Sequence, residues 1–95
     1  MKVIIYGAGR LGKQMLHLLN GATEKYEVVG FVDDTKKESE LVHGDHVCIG
    51  GMQELLLKKD QFGEDVSVFI AISFANLSAR RQIYEKLKIN SFKLQ

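Results

Sequence analysis

The sequence has no proline and no tryptophan, and Cys48 is the single cysteine among its 95 residues. One cysteine excludes an internal disulfide and fits a reducing compartment, so we expect a cytoplasmic location. The absence of proline excludes a rigid proline-rich linker. This length suits one hydrophobic core and is too short for a second catalytic domain, so we expect a single domain over residues 1–95, the N-terminal part of a longer protein.

An excess of charge of one sign and long apolar runs are also missing. Thirteen basic and twelve acidic residues leave a formal net charge of +1, which excludes the concentrated basic surface typical of nucleic-acid-binding proteins. No apolar run reaches the length of a membrane span, and residues 1–6 fit a β-strand better than a signal peptide. We therefore expect neither a nucleic-acid partner nor a membrane segment.

Glycine is the residue type whose placement is most informative. An apolar strand at residues 2–6 leads directly into Gly7-Ala8-Gly9-Arg10-Leu11-Gly12, and a helical pattern follows. This order is typical of a nucleotide-binding βαβ unit, in which the first glycine permits a tight turn, the second admits a phosphate and the third lets the helix pack on the strand. The first-turn amides and the helix dipole favour an anion. We therefore predict that residues 7–12 bind a nucleotide, with the Arg10 guanidinium over the phosphates.

Two acidic residues follow the second predicted strand, residues 27–32. Asp33 lies 21 positions after Gly12, where this motif usually places a carboxylate on a ribose hydroxyl. The alternative is that Asp33 and Asp34 only begin a polar turn, as aspartate often does after a strand. The spacing favours nucleotide contact, and both residues are candidates for the site.

The remaining apolar segments alternate between strand and helix patterns. Strands are predicted at residues 47–49, 66–72 and 91–94, and helices at residues 11–20, 52–59 and 79–88, with a charged loop at residues 35–40. The first helix is expected to bury a stripe of Leu11, Met15, Leu18 and Leu19. The alternation predicts an α/β fold, a small Rossmann-like three-layer domain whose parallel sheet has about five strands in the order 3-2-1-4-5.

In that topology, ligands bind outside the carboxyl ends of strands 1 and 4. The loop after the fourth strand contains Ser73 and Asn76, which either hydrogen-bond a ribose or phosphate or cap the following helix. No nucleophile with a general base is evident, so we predict no catalytic residue in this domain. The cluster of His43, Asp45, His46 and Cys48 matches no zinc-binding spacing, and we expect no metal there but a buried thiol beside exposed histidines, with His43 in a loop.

Four segments, at residues 5–9, 29–34, 50–55 and 83–87, resemble the N-terminal domain of bacterial nucleotide-sugar acyltransferases of the PglD/NeuD type. The resemblance extends from Lys2 to Leu94. It implies that this domain holds a UDP-sugar at positions matching Gly7, Ala8, Gly12 and Lys13 and at the acidic pair. It also implies a following β-helix of hexapeptide repeats, absent from these residues, that binds acetyl-CoA, carries the catalytic histidine and forms a homotrimer.

The sequence departs from that family at two places in the predicted site. Arg10-Leu11 stands where the family usually has Gly-His, and Ser73 stands where it usually has glycine. A second resemblance, to the nucleotide-binding domain of polysaccharide-biosynthesis epimerases and dehydratases, includes the turn at His43-Gly44 and implies NAD(P) or another nucleotide. In those proteins membrane helices precede this domain.

We therefore expect the nucleotide-sugar-binding domain of a sugar O- or N-acetyltransferase of surface-glycan biosynthesis, with no cofactor bound in the domain itself. Besides the epimerase or dehydratase alternative, a regulatory Rossmann domain without a ligand stays open, because a fold does not determine a function.

Overall fold

The alternating apolar segments form one six-stranded sheet, and the computed structural model describes residues 1–22, 25–44, 46–63 and 65–94. The strands are β1 (Lys2–Tyr6), β2 (Glu27–Val32), β3 (Leu41–His43), β4 (His46–Gly50), β5 (Val66–Ile70) and β6 (Lys93–Leu94). Their order across the sheet is β3-β4-β2-β1-β5-β6. All neighbouring pairs are parallel except β3 and β4, which are antiparallel.

In the described part of the chain, four α-helices connect the strands, and they are α1 (Arg10–Asn20), α2 (Met52–Leu57), α3 (Lys59–Phe62) and α4 (Leu77–Ile89). A short 3₁₀ helix, Phe74–Asn76, precedes α4. Among the described residues, no helix combines the length and the apolar character that crossing a membrane requires.

The sheet lies between two hydrophobic clusters, because alternate side chains of a strand point to opposite faces. Val3 and Ile5 of β1 pack with Leu16 and Leu19 of α1 on one face. On the opposite face, Ile4 and Tyr6 belong to a second cluster with residues of α2 and α4, namely Met52, Leu55 and Leu87. The domain is therefore a three-layer α/β structure, as the sequence predicted.

The expected strand order needs one correction. The five predicted strands are present in their predicted order, but the structure adds β3 at the edge, antiparallel to β4, with Leu41 opposite Val47 and His43 opposite His46. His43 is therefore in a strand and not in a loop. The sheet is mixed because a tight turn at Gly44, where φ is 58°, joins the two strands directly and leaves no room for a crossover helix.

The buried stripe of α1 also differs from the prediction. Gly12, Leu16 and Leu19 are buried, whereas Leu18 is 69% exposed and Leu11 is 38% exposed. Gly12 must face the sheet, because it lies where α1 comes closest to the backbone of Gly7. Leu16 and Leu19 follow on the same face at helical spacing, and this rotation leaves Leu18 in solvent.

Candidate functional site

The loop between β1 and α1 is anchored to the strands on both sides of β1. The amide of Gly7 donates to the carbonyl oxygen of Val32 at 2.7 Å, and the amide of Ala71 donates to that of Tyr6 at the same distance. Gly7 has φ of 117°, and a Cβ at this position would lie 2.5 Å from the Ala71 carbonyl oxygen. Only glycine satisfies both conditions, which confirms that Gly7 makes the tight turn.

The other two glycines of the loop differ in what surrounds them. A Cβ on Gly12 would overlap the carbonyl oxygen of Gly7, so Gly12 provides the close packing of helix on strand that the sequence predicted. A Cβ on Gly9 would meet no atom within 4 Å. The backbone at Gly9 is therefore open on this side, and its role beside a phosphate stays a prediction.

The beginning of α1 is uncapped and carries no acidic side chain. Gly9 is the N-cap residue, makes no side-chain cap, and no Asp or Glu is in the first turn. The first amides of a helix have no acceptor within the helix, and the helix dipole places a partial positive charge at the same point. This end of α1 can therefore accept negatively charged oxygens.

A cleft of about 470 Å³ opens at this helix end, between the glycine loop and the loop that follows β5. It is the predicted switch-point crevice. Its lining residues are Gly7, Gly9, Arg10, Leu11, Gln14, Asp33, Ala71, Ile72, Ser73 and Asn76. Of the residues predicted for the site, Ala8, Gly12, Asp34 and Lys13, the last implied by the family resemblance, do not line it.

Three lining residues were not predicted from the sequence. Gln14 lies one turn after Arg10 on α1, so helical spacing could have indicated it. Ala71 and Ile72 were assigned to a buried strand, but β5 ends at Ile70 and the chain then turns along the cleft.

Asp33 joins the end of β2 to the glycine loop. Its Oδ2 accepts a hydrogen bond from the Ala8 amide at 2.9 Å, and its Oδ1 accepts from the amide and hydroxyl of Thr35. Partial burial raises the pKa of this carboxyl, but the hydrogen bonds from Thr35 and Ala8 outweigh it and leave the pKa of Asp33 below its ordinary value. Asp33 is thus a carboxylate at the edge of the cleft.

Asp34 faces the opposite side of the sheet and contacts groups of the fold itself. Its Oδ2 accepts from the Tyr6 hydroxyl at 2.7 Å, and its Oδ1 accepts from the Met52 amide at 2.9 Å, at the beginning of α2. Burial raises the pKa of Tyr6 far above its ordinary value, and the hydrogen bond to Asp34 raises it further. Successive side chains at a strand end point in opposite directions, which is why the two aspartates separate.

The loop after β5 is held in place from α4. The Nη1 of Arg80 donates to the carbonyl oxygens of Ile70 and Ile72, each at 3.0 Å. The Ser73 hydroxyl accepts from the Ala75 amide at 3.1 Å and so caps the 3₁₀ helix, whereas Asn76 makes no side-chain cap to α4. Both residues still line the cleft, so the capping alternative holds for Ser73 and ligand contact stays a prediction for both.

Within the described parts of the chain, no group of three or more His, Cys, Asp or Glu side chains converges as metal ligands would. Asp45 lies outside the described residues. Cys48 is buried, as expected, and its thiol faces the Gly50 carbonyl oxygen at 3.4 Å. His43 and His46 are half-buried, in contrast to the exposed histidines that we expected.

A second cleft, of about 360 Å³, lies at the opposite end of the sheet. Lys59, Val66, Phe92 and Lys93 line it. It borders the first residues of β5 and β6. Ligands of open α/β sheets bind at the carboxyl ends of strands, so the cleft at the glycine loop is the better candidate site.

Comparison with known proteins identifies the family of this chain. A model of the family described as the PglD N-terminal domain matches residues 2–87. The chain belongs to this family. A comparison with curated protein sequences finds no match to the chain.

Three solved structures show what this PglD-type domain is similar to. A UDP-D-quinovosamine 4-dehydrogenase from Vibrio fischeri has a TM-score of 0.77 at 26% identity, covering 98% of this chain and 74% of the other. The acetyltransferase domain of PglB from Neisseria gonorrhoeae has a TM-score of 0.71 at 32% identity, covering 99% and 42%. A mutant of perosamine N-acetyltransferase from Caulobacter crescentus, in complex with CoA and GDP-perosamine, has a TM-score of 0.69 at 25% identity, covering 97% and 40%.

The PglD-type domain thus spans about two fifths of the two acetyltransferase structures. One of these three structures is named for a UDP-sugar, and another contains GDP-perosamine.

Proposed function

We propose that this domain binds a nucleotide sugar in the cleft at the glycine loop and is the substrate-binding domain of a sugar O- or N-acetyltransferase of surface-glycan biosynthesis. The observation that carries the proposal is the uncapped beginning of α1, open above Gly9, at a cleft of a PglD N-terminal domain. The perosamine N-acetyltransferase, similar to this chain, was solved with a nucleotide sugar and CoA.

Within the cleft, the diphosphate would occupy the end of α1. The amides of residues 9–11 would donate to the phosphate oxygens, and Arg10, which is exposed at the cleft, would supply a positive charge. The sugar or ribose would lie toward Ser73 and Asn76. No acid, base or nucleophile of this domain is assigned a step in acetyl transfer.

Asp33 would bind a ribose or base group with its remaining acceptor capacity. A carboxylate has about four lone-pair sites, and Ala8 and Thr35 provide three hydrogen bonds to it. One site on Oδ2 is therefore left for the nucleotide. The contact to Ala8 couples this acceptor to the phosphate-binding loop.

For the parent protein, we propose that acetyl-CoA is bound by a further region and that three chains assemble. Structures of PglB and perosamine acetyltransferase with acetyl coenzyme A or CoA support the use of a CoA thioester. The nucleotide is UDP or GDP, since the sequence resemblance implies UDP while the Caulobacter structure contains GDP-perosamine. A cytoplasmic enzyme with this specificity would act where nucleotide sugars are made.

A second candidate function is binding of NAD(P) or a sugar nucleotide in a dehydrogenase or dehydratase. The observation that favours it is the similarity to the UDP-D-quinovosamine 4-dehydrogenase, of which this chain covers 74%. Both candidates place a diphosphate at α1, so they differ in whether a nicotinamide dinucleotide binds.

The decisive test combines thermal unfolding with one variant that closes the cleft. We expect a UDP- or GDP-sugar at about 100 times its Kd to stabilise the domain by about 2.7 kcal/mol. Gly9→Val should fold, because its Cβ meets open space, yet abolish this shift by filling the phosphate position. Gly21→Val makes the same change beyond the other end of α1 and should leave the shift intact.

Three results would contradict the proposal in different ways. A thermal shift with NAD(H) but with no nucleotide sugar would favour the dehydrogenase candidate. A shift that persists in Gly9→Val would place the ligand elsewhere. No shift with any nucleotide, together with unperturbed amide resonances at residues 7–12, would favour a regulatory domain without a ligand.

A further inference from the structure

His43 makes a contact that the proposed site does not yet explain. Its Nε2 lies 2.9 Å from the Ala8 carbonyl oxygen and 3.3 Å from that of Gly9. Carbonyl oxygens only accept hydrogen bonds, so Nε2 carries the proton and donates to both. A side chain of the edge strand β3 thereby reaches the glycine loop, 34 and 35 residues away along the chain.

The two carbonyl groups determine where the neighbouring amides point. In a trans peptide the C=O and the following N–H lie in one plane and point in opposite directions. Drawing the Ala8 carbonyl toward His43 therefore turns the Gly9 amide away from it. The Gly9 carbonyl, which orients the Arg10 amide in the same way, also accepts from the Lys13 amide at 3.1 Å, so α1 itself holds that second peptide. Gly9 and Arg10 line the cleft, and His43 does not.

The Ala8 residue is held from two sides. Its amide donates to Asp33 at 2.9 Å, and its carbonyl accepts from His43 at the same distance. Gly9, which follows it, has no side chain to restrict its backbone and no atom packed where a Cβ would be. The flanking groups are held by Asp33, at the Ala8 amide, and by the Lys13 amide, which donates to the Gly9 carbonyl at 3.1 Å. The contact from His43 is the one that acts on the Ala8–Gly9 peptide itself.

The imidazole of His43 is itself well anchored. It packs edge-on against Phe31, with ring centroids 5.2 Å apart, and Phe31 is fully buried. His46 also contacts this ring, at 6.0 Å between centroids, but no hydrogen bond between His46 and the loop is present. The two histidines thus share the aromatic contact and differ in the contact to the glycine loop.

The geometry points to His43 as a positioning residue that holds the Ala8–Gly9 peptide so that the Gly9 amide faces the cleft, where a diphosphate would bind. The inference rests on the proposed function for the identity of that ligand. The orientation of the loop can be tested in the free protein, so the two can fail separately.

The test compares three variants by NMR and by binding. His43→Phe keeps an aromatic ring against Phe31 and removes the donor, while His46→Phe is the matched control. His43→Gln restores a donor nitrogen at the same number of bonds from Cα. Wild-type spectra should show His43 as the Nε2–H tautomer. Backbone order parameters at Ala8 and Gly9 should be about 0.85, which is typical of a rigid backbone.

In His43→Phe we expect order parameters at Ala8 and Gly9 clearly below the wild-type values, and an affinity for UDP or GDP lower by about tenfold, the effect of one positioned hydrogen bond. His46→Phe should change neither, and His43→Gln should recover part of both. Unfolding curves of each variant show how much of any change comes from lost stability.

Unchanged order parameters in His43→Phe, or equal changes in both phenylalanine variants, would overturn the inference. If wild-type protein binds neither UDP nor GDP but His43→Phe still loosens the loop, the proposed function fails while the positioning role stands. If nucleotide binds equally well to wild type and to a loosened His43→Phe, the Gly9 amide is not its ligand and the inference is overturned.

Discussion

At the scale of single residues, the two adjacent aspartates show that the type of a residue does not by itself determine what its side chain contacts. Asp33 and Asp34 have the same chemistry and follow the same strand. Asp33 borders the cleft and bonds the Ala8 amide, whereas Asp34 bonds Tyr6 and the first amide of α2 on the opposite face. A nucleotide role is therefore a sharper hypothesis for Asp33 than for Asp34.

The lowered pKa of Asp33 predicts a pH dependence of stability. A carboxyl whose pKa is lower in the folded state stabilises it above the unfolded pKa of about 4, and this contribution is lost as pH falls through the folded value. We expect Asp33→Asn to lower the free energy of unfolding at pH 7 and to reduce the loss of stability between pH 5 and pH 2. Urea unfolding at several pH values measures both.

Asp60→Asn is the control for this prediction, because Asp60 is exposed on α3 and far from the glycine loop. The prediction is wrong if Asp33→Asn and wild type lose the same stability on acidification.

At the scale of elements, the position of α1 depends on one glycine. The pattern of a strand followed by glycines predicted where α1 begins, but its rotation about its own axis follows from Gly12 lying against the Gly7 carbonyl. The apolar residues of α1 did not determine this rotation, since Leu11, Leu16 and Leu18 have the same side chain and only Leu16 of the three is buried.

Gly12→Ala should therefore destabilise the domain although alanine is a better helix former. The gain in helix propensity is about 1 kcal/mol, while the added methyl group overlaps a backbone oxygen that cannot rotate away. We expect a net loss of about 1–3 kcal/mol in the free energy of unfolding, measured by urea denaturation. At Gly21, which follows α1, a Cβ would be 3.6 Å from the nearest atom, so Gly21→Ala should cost less, and an equal cost would contradict this account.

The edge strand β3 was missed from the sequence, and so was the short helix α3, which begins at the last residue of the single helix predicted for residues 52–59. The three residues of β3 are too few for a periodic pattern. A signal was nevertheless present, because Gly44-Asp45 separates Leu41–His43 from His46–Gly50 by two residues that are typical of a tight hairpin. Missing the strand meant missing that His43 reaches the glycine loop.

At the scale of the whole molecule, two hydrophobic clusters share one sheet. The radius of gyration is 12.2 Å, close to the value of about 13 Å expected for a folded chain of 100 residues. The four buried residues of β1, at positions 3–6, alternate between the two clusters, so neither cluster can be lost without disturbing the strand that supports the other.

Leu87→Ala should therefore lower the stability of both faces together. Leu87 of α4 is fully buried, and truncation of such a leucine costs about 2–5 kcal/mol. We expect the NMR signals of Tyr26, which packs on the opposite face with α1, to disappear at the same lowered urea midpoint as those of Phe92. Leu57→Ala, at a position that is 75% exposed, should change the stability by about 0.5 kcal/mol or less. If the Tyr26 signals of Leu87→Ala keep the urea midpoint that they have in the wild-type protein, the two faces unfold separately.

The sequence by itself determined the class of fold, the five parallel strands in their order, the glycine loop and the family, because local periodicity and turn chemistry act over short distances. Tertiary structure decided which aspartate borders the cleft, how α1 is rotated, and that His43 contacts the glycine loop. These depend on which face a side chain takes and on contacts between residues far apart in the chain, and neither is encoded in any short segment. The balanced charge and the single cysteine excluded several classes of protein. The residues to test follow from the lining of the cleft.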